Sequence, residues 1–309
     1  MKDKAILQGI GFAVLATLIW SGNFIIARAV INDIPPIGLS FYRWLTATLI
    51  VLPFALRVFK AEWKTVKAHL PYFFLVSVTG VSLFNTFVYI GGHHTSAINL
   101  ALIGTTSSPI IANILAAIFL REKIGWLKIA GMLICVAGIL FLLAKGDPGN
   151  LLHLQFSEGD AWVLLAGLSF AIYNTFVKKK PAAASSLNFL FTTFVFGTLM
   201  LFPAFIIESR KAAPVSWTPG MGGVILYLGL GASVICFFLW NKSIQALGAG
   251  RAALFGNLIP VFSSIEAVIW LNEPFTMYHV ISMVLVFVGL LIANLTLFSH
   301  KPGNPAKPA

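Results

Sequence analysis

Two ionisable side chains, Arg43 and Glu266, lie well inside long apolar stretches of this 309-residue sequence. A charge at the centre of a bilayer costs roughly 2.5–3.5 kcal/mol even on a lenient insertion scale, so a residue of this kind indicates function. The helical rise per residue places both side chains about 8–9 Å below the same membrane boundary. Equal depth predicts an ion pair in at least one state of the protein, and two independent side chains that extend to the interface are the alternative. Glu266 is also the best candidate for a proton carrier, if protons drive the activity.

A second group of polar and aromatic residues recurs at helical spacing. Trp20 and Asn23 share a face of the first apolar stretch, and Asn85 and Tyr89 share a face of the third. An asparagine that faces lipid is costly, so these faces should point inward. Interhelical hydrogen bonding explains any one residue, whereas the set favours a central cavity for small, partly apolar solutes. The predicted cavity residues are Trp20, Asn23, Asn85, Tyr89, Thr105, Ser108, Tyr173, Asn174, Trp240 and Asn257.

Pro109 and Pro260 interrupt the fourth and ninth apolar stretches at corresponding points. Proline removes a backbone hydrogen bond and kinks a helix. In lipid such a break is tolerated where it faces protein or a wet cavity. The paired placement predicts two hinges beside a binding site, and kinks that serve packing alone are the alternative.

Other residue types that could perform chemistry lack the necessary spacing. His93 and His94 are adjacent, so their side chains diverge on a helix, and Cys135 and Cys236 have no metal-binding spacing. The sequence contains no phosphate-binding loop, dinucleotide fingerprint or hydrolase motif. We therefore predict neither a metal nor a cofactor, and no enzymatic activity.

The composition indicates which elements must position these residues. Apolar residues make up 58% of the chain and charged residues only 10%, whereas about 25% of residues are charged in soluble domains. The apolar runs are continuous and match the thickness of a bilayer, which favours membrane helices over a β-barrel. We predict an all-α integral membrane protein of ten transmembrane helices. The spans are Gln8–Ala29, Ile37–Phe59, Tyr72–Gly92, Ala97–Leu120, Trp126–Ala144, Ala161–Val177, Leu187–Ile207, Met221–Asn241, Leu247–Leu271 and Phe275–Phe298.

The distribution of positive charge predicts the orientation. Of 21 Lys and Arg residues, sixteen lie on the side of the N-terminus, four lie on the other side, and Arg43 lies within a span. This bias predicts cytoplasmic N- and C-termini in the cytoplasmic (inner) membrane. The run Lys178–Lys180 is then a topology anchor rather than a nucleic-acid patch. The polar, Pro-rich residues 300–309 are predicted to be a disordered tail.

A shift of about 150 residues aligns the two halves of the sequence. Matched pairs include Gly80 with Gly231, Pro109 with Pro260, and Glu122 with Glu273. Each half has five predicted spans, so the second half must enter the membrane from the opposite side. Residues 6–145 and 158–299 are therefore predicted to form inverted repeats, a symmetry that suits alternating access.

The chain resembles the ten-helix, EamA-like type of the drug/metabolite transporter superfamily. Four short motifs and the paired prolines carry the resemblance. The motifs are Trp20-Ser21-Gly22-Asn23-Phe24, Ser40-Phe41-Tyr42-Arg43-Trp44, Leu120-Arg121-Glu122-Lys123 and Leu271-Asn272-Glu273-Pro274. The resemblance implies a secondary transporter that exports small metabolites. The second half departs from the first because Thr193 stands opposite Arg43, so any arginine-dependent role should be asymmetric.

Amino acids are the first candidate substrates that the resemblance implies, and drugs or nucleobases and nucleosides are the alternatives. A membrane-embedded lipid-linked transferase is less favoured, because such an enzyme should cluster acidic or histidine residues at one membrane face. The expected partners are a small-molecule substrate, the lipid bilayer and, for coupling, protons, but no nucleic acid. The sequence leaves open a monomer or a homodimer.

Overall fold

A computed structural model of the chain describes residues 2–120, 125–147, 149–150, 157–177, 179–212, 215, 217–247 and 255–299. Within these residues the chain is helical and contains no strand. The predicted disordered tail, Lys178, and Glu122 with its neighbours lie outside them.

In the described part of the chain, ten long helical segments follow one another. They are α1 (Lys2–Ala29), α2 (Pro36–Ala61), α3 (Leu70–Gly92), α4 (Ala97–Leu120), α5 (Trp126–Leu143), α6 (Glu158–Val177), α7 (Ser186–Ser209), α8 (Pro219–Leu226, Tyr227–Ile235 and Cys236–Leu247), α9 (Leu258–Leu271) and α10 (Met277–Ser299). A six-residue helix, Trp63–Ala68, connects α2 with α3. The middle of α3 (Val78–Leu83) and the middle of α8 (Tyr227–Ile235) are π-helical.

Seven of the helices in the described residues, α1–α4 and α6–α8, are long and apolar enough to cross a membrane. Helices α5, α9 and α10 are also apolar, but their apolar stretches are shorter. Large apolar side chains such as Phe54, Trp126 and Trp270 point outward, with about three quarters of their surface exposed. Arg43 and Asn188 are buried instead. This distribution is stable in lipid and would be unfavourable in water, so the chain is a multi-pass membrane protein.

The ninth predicted span, Leu247–Leu271, is not one continuous helix. Leu247 ends α8, and α9 begins only at Leu258, after a turn at Gly256 and Asn257. Pro260 therefore lies in the first turn of α9, where no intrahelical bond needs its missing N–H group. Pro109, by contrast, lies inside α4, which continues to Leu120.

Helices from the two halves of the chain pack against each other. The helix α1 contacts α8 and α9, while α6 contacts α3 and α4; α2 pairs with α7, and α5 pairs with α10. The α5–α10 pair is very close because Gly131 and Gly289 face one another. A Cβ atom on either glycine would lie within 2.6 Å of the other glycine's carbonyl oxygen. Small residues allow such backbone approach between membrane helices.

Carboxylates at helix ends also join the two halves. Glu208, near the end of α7, accepts from the Gly38 amide of α2 at 2.7 Å. Glu62, just after α2, accepts from the Ser185 amide at the start of α7 at 2.9 Å. A negative charge is favourable at a helix N-terminus. Partial burial acts to raise the pKa of Glu62, but the donors at Ser185 and Asn188 outweigh it and hold that pKa below its usual value.

Candidate functional site

Arg43 is the centre of a buried polar cluster. Its side chain is 2% exposed, and its Nη1 atom donates to Asn23 Oδ1 at 2.5 Å, to Asn85 Oδ1 at 2.8 Å and to the Tyr89 hydroxyl at 2.8 Å. The Nε atom donates to Ser233 Oγ at 2.9 Å. We call these five residues the Arg43 cluster. Helices α1, α2 and α3 of the first half and α8 of the second half each contribute to it.

The π-helical part of α8 explains how the second half contributes. In a π-helix the backbone bonds span five residues, and such segments often occur at functional sites. Ser233 donates to the Leu228 carbonyl, five residues earlier, at 2.9 Å, and still accepts from Arg43. The Ala232 carbonyl of the same segment accepts from Arg43 Nη2 at 3.2 Å and from Trp20 Nε1 at 2.8 Å. Two side chains of the first half are thus bonded to one turn of the second.

Aromatic rings form a wall beside the Arg43 cluster. The guanidinium carbon of Arg43 lies 5.0 Å from the ring centre of Trp44. Trp20 lies 5.1 Å from Trp240 and 5.9 Å from Phe237, centre to centre. Phe237 also contacts Trp44, at 6.0 Å. The predicted cavity residue Tyr173 joins this group through Phe237, at 6.3 Å. Edge-to-face contacts of this kind stabilise the packing while leaving apolar ring surface close to the charge.

Three consecutive residues of α1 each contact a different helix. Ser21 donates to Glu266 Oε1 of α9 at 2.7 Å. Gly22 makes room for Tyr227 of α8, because a Cβ atom there would lie 2.4 Å from the tyrosine hydroxyl oxygen. Asn23 belongs to the Arg43 cluster. This arrangement gives a structural reason for the Ser21-Gly22-Asn23 part of the first motif.

Arg43 and Glu266 do not form an ion pair within the described residues of this conformation. Each is instead bonded to α1, Glu266 through Ser21 and Arg43 through Asn23. Glu266 Oε2 is buried and has no hydrogen-bond partner among the described residues. The equal depth inferred from the sequence therefore does not produce contact in this conformation, and the predicted pairing in another transport state stays a prediction.

The structure brings only part of the predicted cavity set to the Arg43 cluster. Trp20, Asn23, Asn85 and Tyr89 lie together there, with Trp240 and Tyr173 in the adjoining aromatic group. Thr105 instead donates to the Ala101 carbonyl of its own helix at 2.6 Å. Ser108 and Asn257 are buried, and Asn174 is half-buried, with no hydrogen bond to the cluster in the part of the chain described.

Sequence reasoning missed several groups in and around the cluster. Ser233 is the repeat counterpart of Ser82 but was not among the predicted cavity residues, and Ser21 could have been found from its place in the first motif. The Ala232 carbonyl gives no sequence signal, because a backbone oxygen becomes available through local helix geometry. The contact of Tyr227 with Gly22 likewise depends on how α1 and α8 cross.

A cavity of about 540 Å³ lies away from the Arg43 cluster, at the ends of α1, α3, α5 and α9. Its lining includes His93, Arg28 and Lys145. Arg28 donates to the Gly92 carbonyl at 3.0 Å. Burial, then the neighbouring His94 and Arg28, lower the pKa of His93.

Comparison with known proteins covers both halves of the chain. The sequence pattern of the EamA-like transporter family matches residues 7–144 and 157–295. The uncharacterized transporter YyaM of Bacillus subtilis is 24% identical over 92% of both chains. A probable terminal-alkyne amino-acid exporter of Streptantibioticus cattleyicolor is 25% identical over 91% of both.

A solved crystal structure has the same fold, with a TM-score of 0.65 and 17% identity over 96% of this chain and 98% of the other. The fold, the two matched segments and the relatives that are named transporters agree with one another. The chain therefore belongs to the EamA-like transporter family.

Proposed function

We propose that this transporter is a secondary exporter of small metabolites, with amino acids as the first candidates, and that it works by alternating access. The observation that carries the proposal is the Arg43 cluster, a buried charged site built from both matched halves of the chain. A solute bound between two moving halves is enclosed by both, which is the geometry that alternating access requires. The name of the Streptantibioticus cattleyicolor relative supports amino acids as substrates.

The proposed architecture has ten spans, in which α5, α9 and α10 join the seven longer helices. The two halves are inverted repeats with both termini in the cytoplasm. Two observations support this arrangement. The helix contacts follow the repeat. Helix α1 contacts α8 and α9, and its counterpart α6 contacts α3 and α4, which are the counterparts of α8 and α9. The π-helical segments also lie at matched repeat positions, Val78–Leu83 and Tyr227–Ile235.

Cysteine labelling tests the orientation. Lys64, Lys145 and Lys179 all have exposed side chains, so a cysteine at each position can react. In intact cells a membrane-impermeant reagent should label position 145 but neither position 64 nor position 179. Labelling at 64 and not at 145 would contradict the proposed topology.

Glu266 is the proposed carrier of a coupling proton. Its Oε2 atom is buried without a partner in the described residues, while Oε1 accepts from Ser21 on α1. Protonation would remove the charge from a carboxyl group inside a membrane helix, which lowers the cost of moving it. The same helix α1 holds Asn23 of the Arg43 cluster, so movement of α1 can link the two sites.

Counterflow in proteoliposomes tests the proposed function. Vesicles loaded with one unlabelled amino acid at a time should take up the same labelled amino acid for at least one member of the panel. The Arg43→Gln variant should lose this exchange. Arg57→Gln is the matched control, because Arg57 is exposed on the same helix α2. Exchange of nucleosides or cationic drugs, with no exchange of any amino acid, would favour the alternative exporters over the proposed one.

A further inference from the structure

We infer that Arg43 binds a carboxylate of the transported solute, so that the substrates are small carboxylic acids, amino acids among them. The inference deepens the proposed function and rests on it, because it assigns the solute's anionic group to one side chain of the proposed transport site.

The charge balance around Arg43 is the first step. All the groups that accept its hydrogen bonds are neutral: two carboxamide oxygens, two hydroxyl oxygens and one backbone carbonyl. No carboxylate lies within ion-pair distance in the described residues, and Glu266 is bonded to Ser21 instead. A buried charge is expensive unless an opposite charge pairs with it. A solute carboxylate would supply the charge that the described residues do not.

The donors left over at the Arg43 cluster form the second step. A guanidinium group only donates, so the atoms of Asn23 and Asn85 that face it must be the Oδ1 atoms, and their Nδ2 groups point elsewhere. No hydrogen bond in the described residues uses either Nδ2 group. The longest bond of Arg43, at 3.2 Å, runs from Nη2 to the Ala232 carbonyl. The second hydrogen of Nη2 and the two amide groups therefore have no acceptor among the described residues and are available to an anion.

The surroundings select the kind of anion. The cluster holds one positive charge, which matches a singly charged carboxylate and not a doubly charged phosphate ester. The rings of Trp20, Trp44 and Phe237 lie beside the charge and suit an apolar body attached to the carboxylate. A solute with an amine and no carboxylate would place a second cation near the buried guanidinium, which is unfavourable.

Three matched probes test the inference. L-Leucine carries both charged groups, 4-methylpentanoate lacks the amine, and 3-methylbutylamine lacks the carboxylate. Binding to the full chain in detergent is measured by the shift in unfolding temperature, and exchange is measured in proteoliposomes. We expect leucine and 4-methylpentanoate to bind and the amine not to bind. Arg43→Gln should weaken carboxylate binding by about 30-fold or more, as expected when one partner of a buried charge pair is removed.

The variants keep the outcome interpretable. Arg57→Gln carries the same change at an exposed position of α2 and should bind like the wild type. Arg43→Lys keeps the positive charge but lacks the planar guanidinium group, so it should retain part of the preference for carboxylates. It replaces Arg43→Gln in the experiment if Arg43→Gln does not fold. Equal binding of leucine and the amine in the wild type, unchanged in the Arg43 variants, would overturn the inference, as would no binding of any probe.

The inference and the proposed function can fail separately. Exchange of amino acids that does not depend on Arg43 would overturn the inference and leave amino-acid export standing. Arg43-dependent binding and exchange of 4-methylpentanoate, with no exchange of any amino acid, would support the carboxylate site and reject amino acids as the substrates.

Discussion

The Arg43 cluster and the matched region of the second half share a backbone feature but differ in chemistry. Both contain a π-helical segment, in α3 and in α8. Ser233 of α8 accepts a hydrogen bond from Arg43, whereas its counterpart Ser82 donates to the Gly197 carbonyl at 3.0 Å. Thr193, the repeat counterpart of Arg43, donates only to carbonyls of its own helix, at 2.8 and 2.9 Å.

In the second half, the region that matches the Arg43 cluster contains packed aromatic rings. Tyr173, the counterpart of Asn23, stacks on Phe170 at 5.7 Å with an angle of 18° between the rings. Its ring packs directly over Gly80 of α3. The two halves therefore share the irregular helix geometry, while at these matched positions the buried arginine belongs to the first half.

The largest expected effect concerns the two matched positions of α2 and α7. Arg43→Gln should lower solute exchange by about 30-fold or more, because it removes one partner of the proposed charge interaction with the solute. Thr193→Val removes a hydroxyl that bonds only to its own helix, so exchange should be close to that of the wild type. The measurement is counterflow at equal amounts of folded protein. Equal losses in both variants would mean that the loss does not depend on the charge of Arg43.

The next effect separates coupling from exchange. Glu266 has no acidic counterpart in the first half, where Leu115 occupies the matched position. Glu266→Gln removes the proton site while keeping an acceptor for Ser21. Uptake driven by a pH gradient should be lost, and exchange at equilibrium should be retained. If both activities disappear, Glu266 has a structural or solute-binding role instead.

A smaller effect follows from two matched glycines. A Cβ atom at Gly80 would lie 2.2 Å from the ring of Tyr173, whereas a Cβ atom at Gly231 would lie 3.6 Å from its nearest neighbour, in Ile19. Gly80→Ala should therefore destabilise the protein by about 1–3 kcal/mol through overpacking. Gly231→Ala should be tolerated. Thermal unfolding of both variants in detergent checks the difference. Equal unfolding temperatures would show that the Tyr173 ring can move to make room for a methyl group at position 80 without loss of stability.

The smallest effect concerns one hydroxyl group. Tyr89 accepts from Arg43 and donates to Asn23, each at 2.8 Å. Tyr89→Phe removes both bonds and keeps the ring, so solute affinity should fall by about 1 kcal/mol. Trp240→Phe, at the matched position of α8, keeps an aromatic contact with Trp20 and should change affinity less. A larger loss in Trp240→Phe would place the main solute contacts on the aromatic wall.

Much of the fold could be predicted from the sequence, because hydrophobic length and continuity depend on local composition. The start of α4 at Ala97 and the end of α6 at Val177 agree with the predicted spans. The turn at Gly256 and Asn257, just before α9, was missed, because an apolar stretch does not reveal it. The π-helical segments were also missed, since they depend on packing between helices and not on residue type alone.

The candidate site was predictable in part for a similar reason. The cost of placing Asn23, Asn85 and Arg43 in an apolar environment pointed to an inward location, and the structure groups all three. Equal depth was not enough to predict which partner Arg43 has. Two residues at one depth can lie on different sides of α1, as the bonds of Arg43 to Asn23 and of Glu266 to Ser21 demonstrate.

The most direct test of the account is an experimental structure of the protein with a carboxylate solute bound. We predict the solute between the two halves, with a carboxylate oxygen within hydrogen-bond distance of the Arg43 guanidinium and the apolar part of the solute against Trp20 and Phe237. A solute bound elsewhere, while Arg43 keeps its bonds to Asn23, Asn85 and Ser233, would contradict the central claim.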